Sequence, residues 1–441
     1  MSATTWNIPT STLEWLAVVP RDRTVAMLIR HSVRDHLEEG DAGYHMPLTP
    51  DGHRLARELG VLLGARLRSA RASPLLRTMQ TSQRLLEGAG LSSEVEIDTL
   101  LGGPGVYMLD RRAGPYWSDL GHEEMMRRLV EDAPPLPGCA ASDDAARFLV
   151  HHMLAATGGE AGIHAFSTHD SLVTATAARI LQQPLGRDAW PLYLEAAFFW
   201  EDEGAVQAAY RGWRDARPAP LVRLSENDVI HFARREVAAT IGLDCPARFF
   251  LAGGAFKTLI TGRPPRDLDL WAPSPADRAA LESRLVERGA RRLPPQPYTE
   301  AFRLGDRLIE LPIRTEPTTL EGRLARFDLA LSAIGAEHRP EDDWRAVVHP
   351  LASASVEQRQ VLLLDELPNW KHGLGSLERM RRYAAELGFE APASEQERIW
   401  QIFAAQSPEM QRGMVERFQA VARHDQGVAE EIACRFDDRP A

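Results

Sequence analysis

Two short apolar runs, residues 25–29 and 163–166, each break off within a few positions at a histidine. The first runs into Arg30-His31 and the second into Ser167-Thr168-His169-Asp170. A short run of unalternating apolar residues reads as a strand buried on both faces, and polar residues at its C-terminal end lie where open α/β sheets hold their ligands. Between the two runs, Leu55, Leu59, Leu62, Leu63 and Leu67 recur at helical spacing and predict a helix over residues 53–67, entered through the turn-rich Leu48-Thr49-Pro50-Asp51-Gly52. Residues 144–155 predict a second helix, and another follows the second strand through Leu181. This alternation predicts an α/β domain with a largely parallel sheet.

A chain of 441 residues is too long for one such core and predicts two or three domains. Asp215-Ala216-Arg217-Pro218-Ala219-Pro220 reads as a linker. Ser225 followed by Asp228 is a helix start, with the helix running through Thr240. Strands are predicted at 249–252, 268–271 and 308–313, with Gly253-Gly254 as a turn. After Trp344 the strand signals fade, and residues 377–387 and 399–421 read as helices. The expected division is 1–214, a linker at 215–225, a second domain at 226–345 and a helical region at 346–441.

The formal net charge is -11. Phosphate contacts supply most of a nucleic-acid binder's affinity, so this acidity disfavours a polynucleotide partner while leaving room for a local basic groove. Cys139, Cys245 and Cys434 lie far apart and form no CxxC pair, which points to neither a zinc site nor a disulfide framework. No stretch approaches the ~20 apolar residues that span a membrane. The expectation is a soluble cytoplasmic protein with no membrane partner.

The first chemical constellation is Arg30, His31, Arg34, Arg77, His169 and Asp170. A phosphate monoester is a dianion, and arginine forks bind its oxygens bidentately. A neutral imidazole can attack phosphorus, a second can hold the transferring oxygens, and a carboxylic acid can protonate the leaving alcohol. Leu28-Ile29-Arg30-His31-Ser32, the Leu48-to-Gly52 turn, Ser73-Pro74-Leu75-Leu76-Arg77-Thr78 and His169-Asp170 occur in the order found in the histidine phosphatase superfamily (phosphoglycerate mutase-like and acid phosphatase-like), which the first ~210 residues resemble. The resemblance implies an α/β/α sandwich with His31 as nucleophile, Arg30, Arg34, Arg77 and His169 as the phosphate pocket, Asp170 as the proton donor, and no cofactor. Arg34 and the His169-Asp170 pair resemble the acid phosphatase branch. Glu96 and Asp98 are the alternative acids. Ser32 and Asp35 replace that branch's glycine and proline, and Ser32 is expected to add a side chain beside the phosphate.

The second constellation is Gly253, Gly254, Asp267, Asp269 and Glu310. Asp267 and Asp269 alternate on one strand and share a face. With Glu310 from a neighbouring strand they are expected to hold Mg2+, while the glycine pair offers backbone N–H groups to a triphosphate. The passage from Phe250 through Gly253-Gly254 to Arg266-Asp267-Leu268-Asp269 resembles the head of the polymerase β-like nucleotidyltransferases, and within them the tRNA CCA-adding and poly(A) polymerase group. Arg326-Phe327-Asp328 and Arg379-Met380-Arg381-Arg382-Tyr383 resemble that group's later motifs. The resemblance implies an α+β head with a C-terminal helical region, with Lys257, Arg266, Asp328, Arg379 and Arg382 as nucleotide contacts beside the glycines. The residues that select the base in that group are missing, since His372-Gly373-Leu374-Gly375-Ser376 stands in their place. Trp271, Trp344, Trp370 and Trp400 are expected to be core anchors.

These readings combine into a bifunctional enzyme: a phosphatase acting on a phosphorylated small molecule, joined to a Mg2+-dependent nucleotidyltransferase that uses an NTP. RNA end repair, with RNA as a less favoured partner, and a nucleotide-sensing regulator with silent sites are the alternatives.

Overall fold

The computed structural model describes residues 6–36, 43–219, 221, 224–294, 296, 298–341, 343–420 and 426–437. The chain divides into two compact units, Met1–Arg223 and Leu224–Ala441.

In the first unit, strands β1 (Thr24–Arg30), β2 (Leu67–Ala72), β3 (Glu96–Ile97), β4 (Gly162–Thr168), β5 (Ala196–Asp202), β6 (Ala205–Tyr210) and β7 (Trp213–Pro218) form one sheet in the order β3-β2-β4-β1-β5-β6-β7. The β3-β2-β4-β1 half is parallel, and β5 to β7 are antiparallel. Residues 25–29 of β1 are wholly buried, as an unalternating strand covered on both faces must be. On one face Val25, Met27 and Ile29 pack with Leu55, Leu59 and Leu85 from the helices Pro50–Leu63 and Leu76–Ala89. The helices Ser142–Ala156 and Asp170–Leu181 also contact β1.

Two expectations are corrected here. The helix after the Leu48 turn ends at Leu63, because Gly64 turns to φ 48, and Leu67 begins β2 instead of closing the helix. Residues 215–218 of the stretch read as a linker belong to β7, paired with β6 from Ala205↔Pro218 to Tyr210↔Trp213, and residues 220, 222 and 223 lie outside the described residues. The proline of β7 is tolerated because β7 is the edge strand.

The second unit holds β8 (Phe249–Ala252), β9 (Leu268–Trp271), β10 (Arg291–Arg292), β11 (Thr299–Leu304), β12 (Arg307–Pro312), β13 (Ile334–Arg339) and β14 (Asp343–Val348), in the order β10-β11-β12-β9-β8-β13-β14. Only β12 and β9 pair in parallel. The helix Glu226–Thr240 starts at Ser225, whose side chain accepts from the Asp228 N–H at 3.1 Å, and packs on β13 and β14. A separate helical core joins Leu377, Met380 and Tyr383 to Trp400, Phe403 and Phe418. The helix expected over 399–421 is two helices, Ala393–Ala404 and Pro408–Gln419. Ser407 caps the second, accepting from Met410 N–H at 3.3 Å, and Pro408 has no N–H with which to continue the first. Val421 lies outside the described residues.

Candidate functional site

The C-terminal ends of β1 and β4 lie side by side, with Arg30 paired to Thr168. That register brings His31 and His169 together, with ring centroids 5.6 Å apart. His31 is buried, and its Nδ1 lies 2.8 Å from the Ser32 carbonyl oxygen. A carbonyl only accepts, so Nδ1 carries the proton. Arg77 Nε–H donates to His31 Nε2 across 3.2 Å, which marks Nε2 as the unprotonated nitrogen. Burial, reinforced by His169, Arg30 and Arg77, holds the His31 ring well below the ordinary histidine range. His169 is pushed down to about 3 by burial and then by Arg77, Arg30 and Arg34, against the pull of Asp170. Both rings are therefore neutral at pH 7.

The guanidinium groups converge on this pair. Arg77 is buried, donates to the Gly43 carbonyl at 2.5 Å and approaches His169 Nδ1 at 3.4 Å. Burial, with Arg34 as a like-charged neighbour, lowers Arg77 to about 10. Arg30 donates to the Pro191 carbonyl at 2.6 Å, pairs with Asp170 at 3.2 Å and stacks over Tyr193 at 4.4 Å. The Nε–H groups of Arg30 and Arg34 are buried without a hydrogen-bond partner. Two unsatisfied cationic donors in one pocket are the mark of an anion site. Burial pushes the Asp170 carboxyl up, but Arg30, His122, His169 and the Ser171 N–H together outweigh it and leave the group below the usual carboxylate range.

Three further side chains border the pair, of which His122 and Tyr193 carry no sequence signal. Ser73 Oγ lies 3.2 Å from His169 Nε2, His122 Nε2 lies 4.0 Å from Asp170, and Tyr193 sits 5.6 Å from the His31 ring. His122 is flanked by Trp117 and Trp190 at 5.9 and 5.4 Å. The Ser32 side chain does not stand beside the phosphate pocket as expected. Its hydroxyl donates to the Gly52 carbonyl at 2.8 Å. Gly52 is required at that contact, since a Cβ there would lie 2.1 Å from the Val33 carbonyl oxygen. Asp98 is engaged structurally, by His152 at 2.7 Å and the Leu100 N–H at 3.0 Å, and Glu96 pairs with Arg71 at 2.7 Å. His36 and His45 are exposed, and His53 accepts from Arg84.

In the second unit, parallel pairing of β9 with β12 sets Asp269 directly beside Glu310. Burial, Asp267 and Glu310 together push Asp269 up to about 8, against Arg266 and Arg379. The locality is thus short of positive charge. Asp267 turns to Arg266, at 2.7 Å. Among the described residues, no group of three His, Cys, Asp or Glu side chains is gathered closely enough to hold a metal ion, so the expected three-carboxylate cage is not closed. The all-oxygen donor set and the pairing of Asp269 with Glu310 still suit a hard divalent cation.

Gly253 acts otherwise than expected. The Gly253 N–H donates to the Ile334 carbonyl at 3.1 Å and is not available to a triphosphate. Gly253 adopts φ 107, and a Cβ there would lie 3.3 Å from Asp269 Oδ2; one on Gly254 would meet the Tyr383 hydroxyl at 2.5 Å. Lys257 is held by Glu386 and lies 3.7 Å over the Tyr383 ring, and Arg382 pairs with Glu378 at 3.2 Å. Both border a cavity of about 260 Å3 with Gly254, Arg266 and Asp267, but each already has a carboxylate partner. Asp328 is buried, accepts from Ser376 and pairs with Arg379 at 3.2 Å; this partnership raises the Arg379 guanidinium. Asp328 and Arg379 line a second cavity of about 310 Å3 with Trp271, Phe327 and His372. Trp271 is not a pure core anchor, since Arg323 stacks 3.9 Å over its ring, whereas Trp344 and Trp400 are buried.

No helix among the described residues is long and apolar enough to cross a membrane. No curated protein matches the chain. Among solved structures, a phosphoserine phosphatase from Entamoeba histolytica is 16% identical over 43% of this chain and 97% of its own, with a TM-score of 0.33. A mycobacterial glucosyl-3-phosphoglycerate phosphatase is 22% identical over 40% of this chain and 90% of its own, with a TM-score of 0.31. The CCA-adding enzyme of Thermotoga maritima, complexed with tRNA, is 14% identical over 48% of this chain, which spans 52% of that enzyme, with a TM-score of 0.32. The model of the histidine phosphatase superfamily, branch 1, matches residues 26–102. This corrects the leaning toward the acid phosphatase branch, which rested on Arg34 and on the His169-Asp170 pair beyond the matched segment. The matched segment carries Arg30, His31, Arg34 and Arg77, and the N-terminal part of this chain is accordingly a histidine phosphatase superfamily domain.

Proposed function

We propose that the chain is a bifunctional enzyme that hydrolyses a phosphate monoester through a phosphohistidine and transfers a nucleotidyl group from an NTP to a small acceptor. The observation that carries the first activity is the unprotonated His31 Nε2, held beside Arg77 and fixed by the Nδ1 contact to the Ser32 carbonyl. Its lone pair attacks phosphorus; an N–P bond forms as the P–O bond to the leaving alcohol breaks. Arg30, Arg34 and Arg77 balance the phosphate charge, and the unsatisfied Nε–H groups of Arg30 and Arg34 need no reorganisation to do so. Asp170 is ionised at rest because Arg30 pairs with it. A bound dianion competes for Arg30, which removes the countercharge and lets the carboxyl take up the proton that it then gives to the leaving oxygen. Water next attacks the phosphohistidine, giving its proton back to Asp170 and freeing His31.

The second activity is supported by the charge-poor Asp269 beside Glu310. Asp267, Asp269 and Glu310 would hold a divalent cation such as Mg2+, which when bound supplies Lewis-acid neutralisation of the phosphates. Asp328, Arg379 and His372 line the cavity next to Trp271 in which a nucleotide would be oriented. Lys257 and Arg382 would have to leave Glu386 and Glu378 to reach its phosphates.

A paired assay tests both halves. An aryl phosphate is offered to the wild type and to His31→Ala, and pyrophosphate release from each NTP with Mg2+ is followed in the wild type and in Asp267→Ala/Asp269→Ala. Each activity should disappear only with its own substitution. Phosphatase turnover surviving in His31→Ala would remove the first half, and pyrophosphate release surviving in the double variant would remove the second.

A further inference from the structure

A cavity of about 870 Å3 in the second unit is lined by residues 313–319 with Arg323, Arg326 and Asn369. Three guanidinium groups border it: Arg314, Arg323 and Arg326. In an acidic chain most arginines find a carboxylate, yet among the described residues none of these three has an ion-pair partner, although Glu316 lines the same cavity. Arg323 is the most telling. It is only 6% exposed, its Nε–H has no hydrogen-bond partner, and its terminal nitrogen reaches no more than the Glu316 backbone carbonyl. Its other face lies against Trp271. A buried guanidinium with a free donor and no carboxylate is costly unless an anion completes it. Thr315, Thr318 and Thr319 add hydroxyl groups to the same wall.

This cavity shares Arg323, Arg326 and Asn369 with the smaller cavity holding Asp328 and Arg379. A ligand here would therefore adjoin one bound there. We infer that the cavity takes the acceptor of nucleotidyl transfer, and that this acceptor is a small molecule bearing a phosphate group, whose dianion sits among Arg314, Arg323 and Arg326. The inference rests on the nucleotidyl-transfer reading for the word acceptor, but not for the anion site itself. A single cluster of three cations suits one phosphate, whereas a polynucleotide needs an extended basic track.

The test uses the full chain carrying His31→Ala, so that the N-terminal unit leaves the probe intact. Hydrogen exchange read by mass spectrometry locates binding of ribose 5-phosphate, and separately of ATP with Mg2+. Ribose 5-phosphate should protect residues 313–326. Its half-saturating concentration should rise at least about tenfold in Arg314→Glu, an exposed position, and likewise in Arg323→Met, as expected for loss of a charge-assisted contact. ATP protection of residues 249–271 should stay unchanged in Arg314→Glu. Absence of protection at 313–326, or equal binding in both arginine variants, overturns the inference. Retained phosphate protection with no ATP protection would leave the anion site standing and remove the nucleotidyl-transfer reading. A ten-residue oligoribonucleotide that binds more than about tenfold tighter than ribose 5-phosphate, with a steep salt dependence, would overturn the small-molecule acceptor in favour of RNA.

Discussion

Arg77 Nε–H points at His31 Nε2 across 3.2 Å, so the phosphate-binding cation and the nucleophile are hydrogen-bonded to each other before any substrate arrives. The contact fixes the tautomer, and burial, with Arg77 adding to it, keeps the nucleophile neutral. The contact must break when phosphorus approaches, which hands the Arg77 donor to the phosphate.

Asp170 should matter in proportion to the basicity of the leaving group. Asp170→Asn is expected to lower kcat on an alkyl phosphate by about 10²- to 10⁴-fold, the usual worth of a general acid. On p-nitrophenyl phosphate, whose leaving group needs no proton, the loss should be far smaller. Equal losses on both substrates would mean that Asp170 acts only by holding Arg30.

Ser32→Gly separates the side chain from the backbone carbonyl that holds His31. The hydroxyl bond to the Gly52 carbonyl is lost, and glycine adds unfolded-state freedom, so stability should fall by roughly 1–2 kcal/mol in urea unfolding. Phosphatase kcat should change little, since the carbonyl remains. A large loss of kcat at unchanged stability would place the hydroxyl in the chemistry.

The two buried histidines set a direction for acid sensitivity. His31 and His169 both sit below their unfolded value of about 6.5, so the unfolded chain binds more protons as pH falls. Their contribution is constant above the unfolded value and is lost as pH drops from there toward about 3. The unfolding midpoint of the first unit should decline over that window, and His169→Asn should flatten the decline. An unchanged slope in that variant would show that His169 is not held neutral.

Asp269 works in the opposite sense. Raised to about 8, it is protonated in the folded chain where the unfolded chain is ionised, so its burial costs stability increasingly as pH rises from about 4 to 8. Asp269→Asn should therefore raise the metal-free unfolding midpoint at pH 7.5. Mg2+ binding to the wild type at pH 7 should release a proton, seen calorimetrically as a dependence of the heat on buffer ionisation enthalpy. Binding without proton release would place the cation elsewhere.

Much of the first site was legible because its parts are local: an apolar strand ending in Arg30-His31, a turn-rich helix entry at residues 48–52, and a second strand ending at His169. What was illegible is tertiary. His122 and Tyr193 belong to no pattern, and reach the site only through tertiary packing. The sign of Lys257 and Arg382 suggested phosphate contacts, but Glu386 and Glu378 sit on the same helix as Arg382 and claim both. The strand β5 was missed because alternation is blurred by burial on both faces, residues 196–200 being all buried, and β7 because none of its residues is buried. Leu67 misled for the opposite reason: it falls on helical spacing, but Gly64 has already ended the helix.

The most direct test of the account is to trap the intermediate. The wild type is mixed with a ³²P-labelled aryl phosphate, quenched in alkali within milliseconds, digested and sequenced by mass spectrometry. The account predicts an alkali-stable, acid-labile phosphoryl group on Nε2 of His31, absent in His31→Ala. Turnover of the same substrate with no label on His31 under conditions where hydrolysis is rate-limiting, or label on another residue, would contradict it.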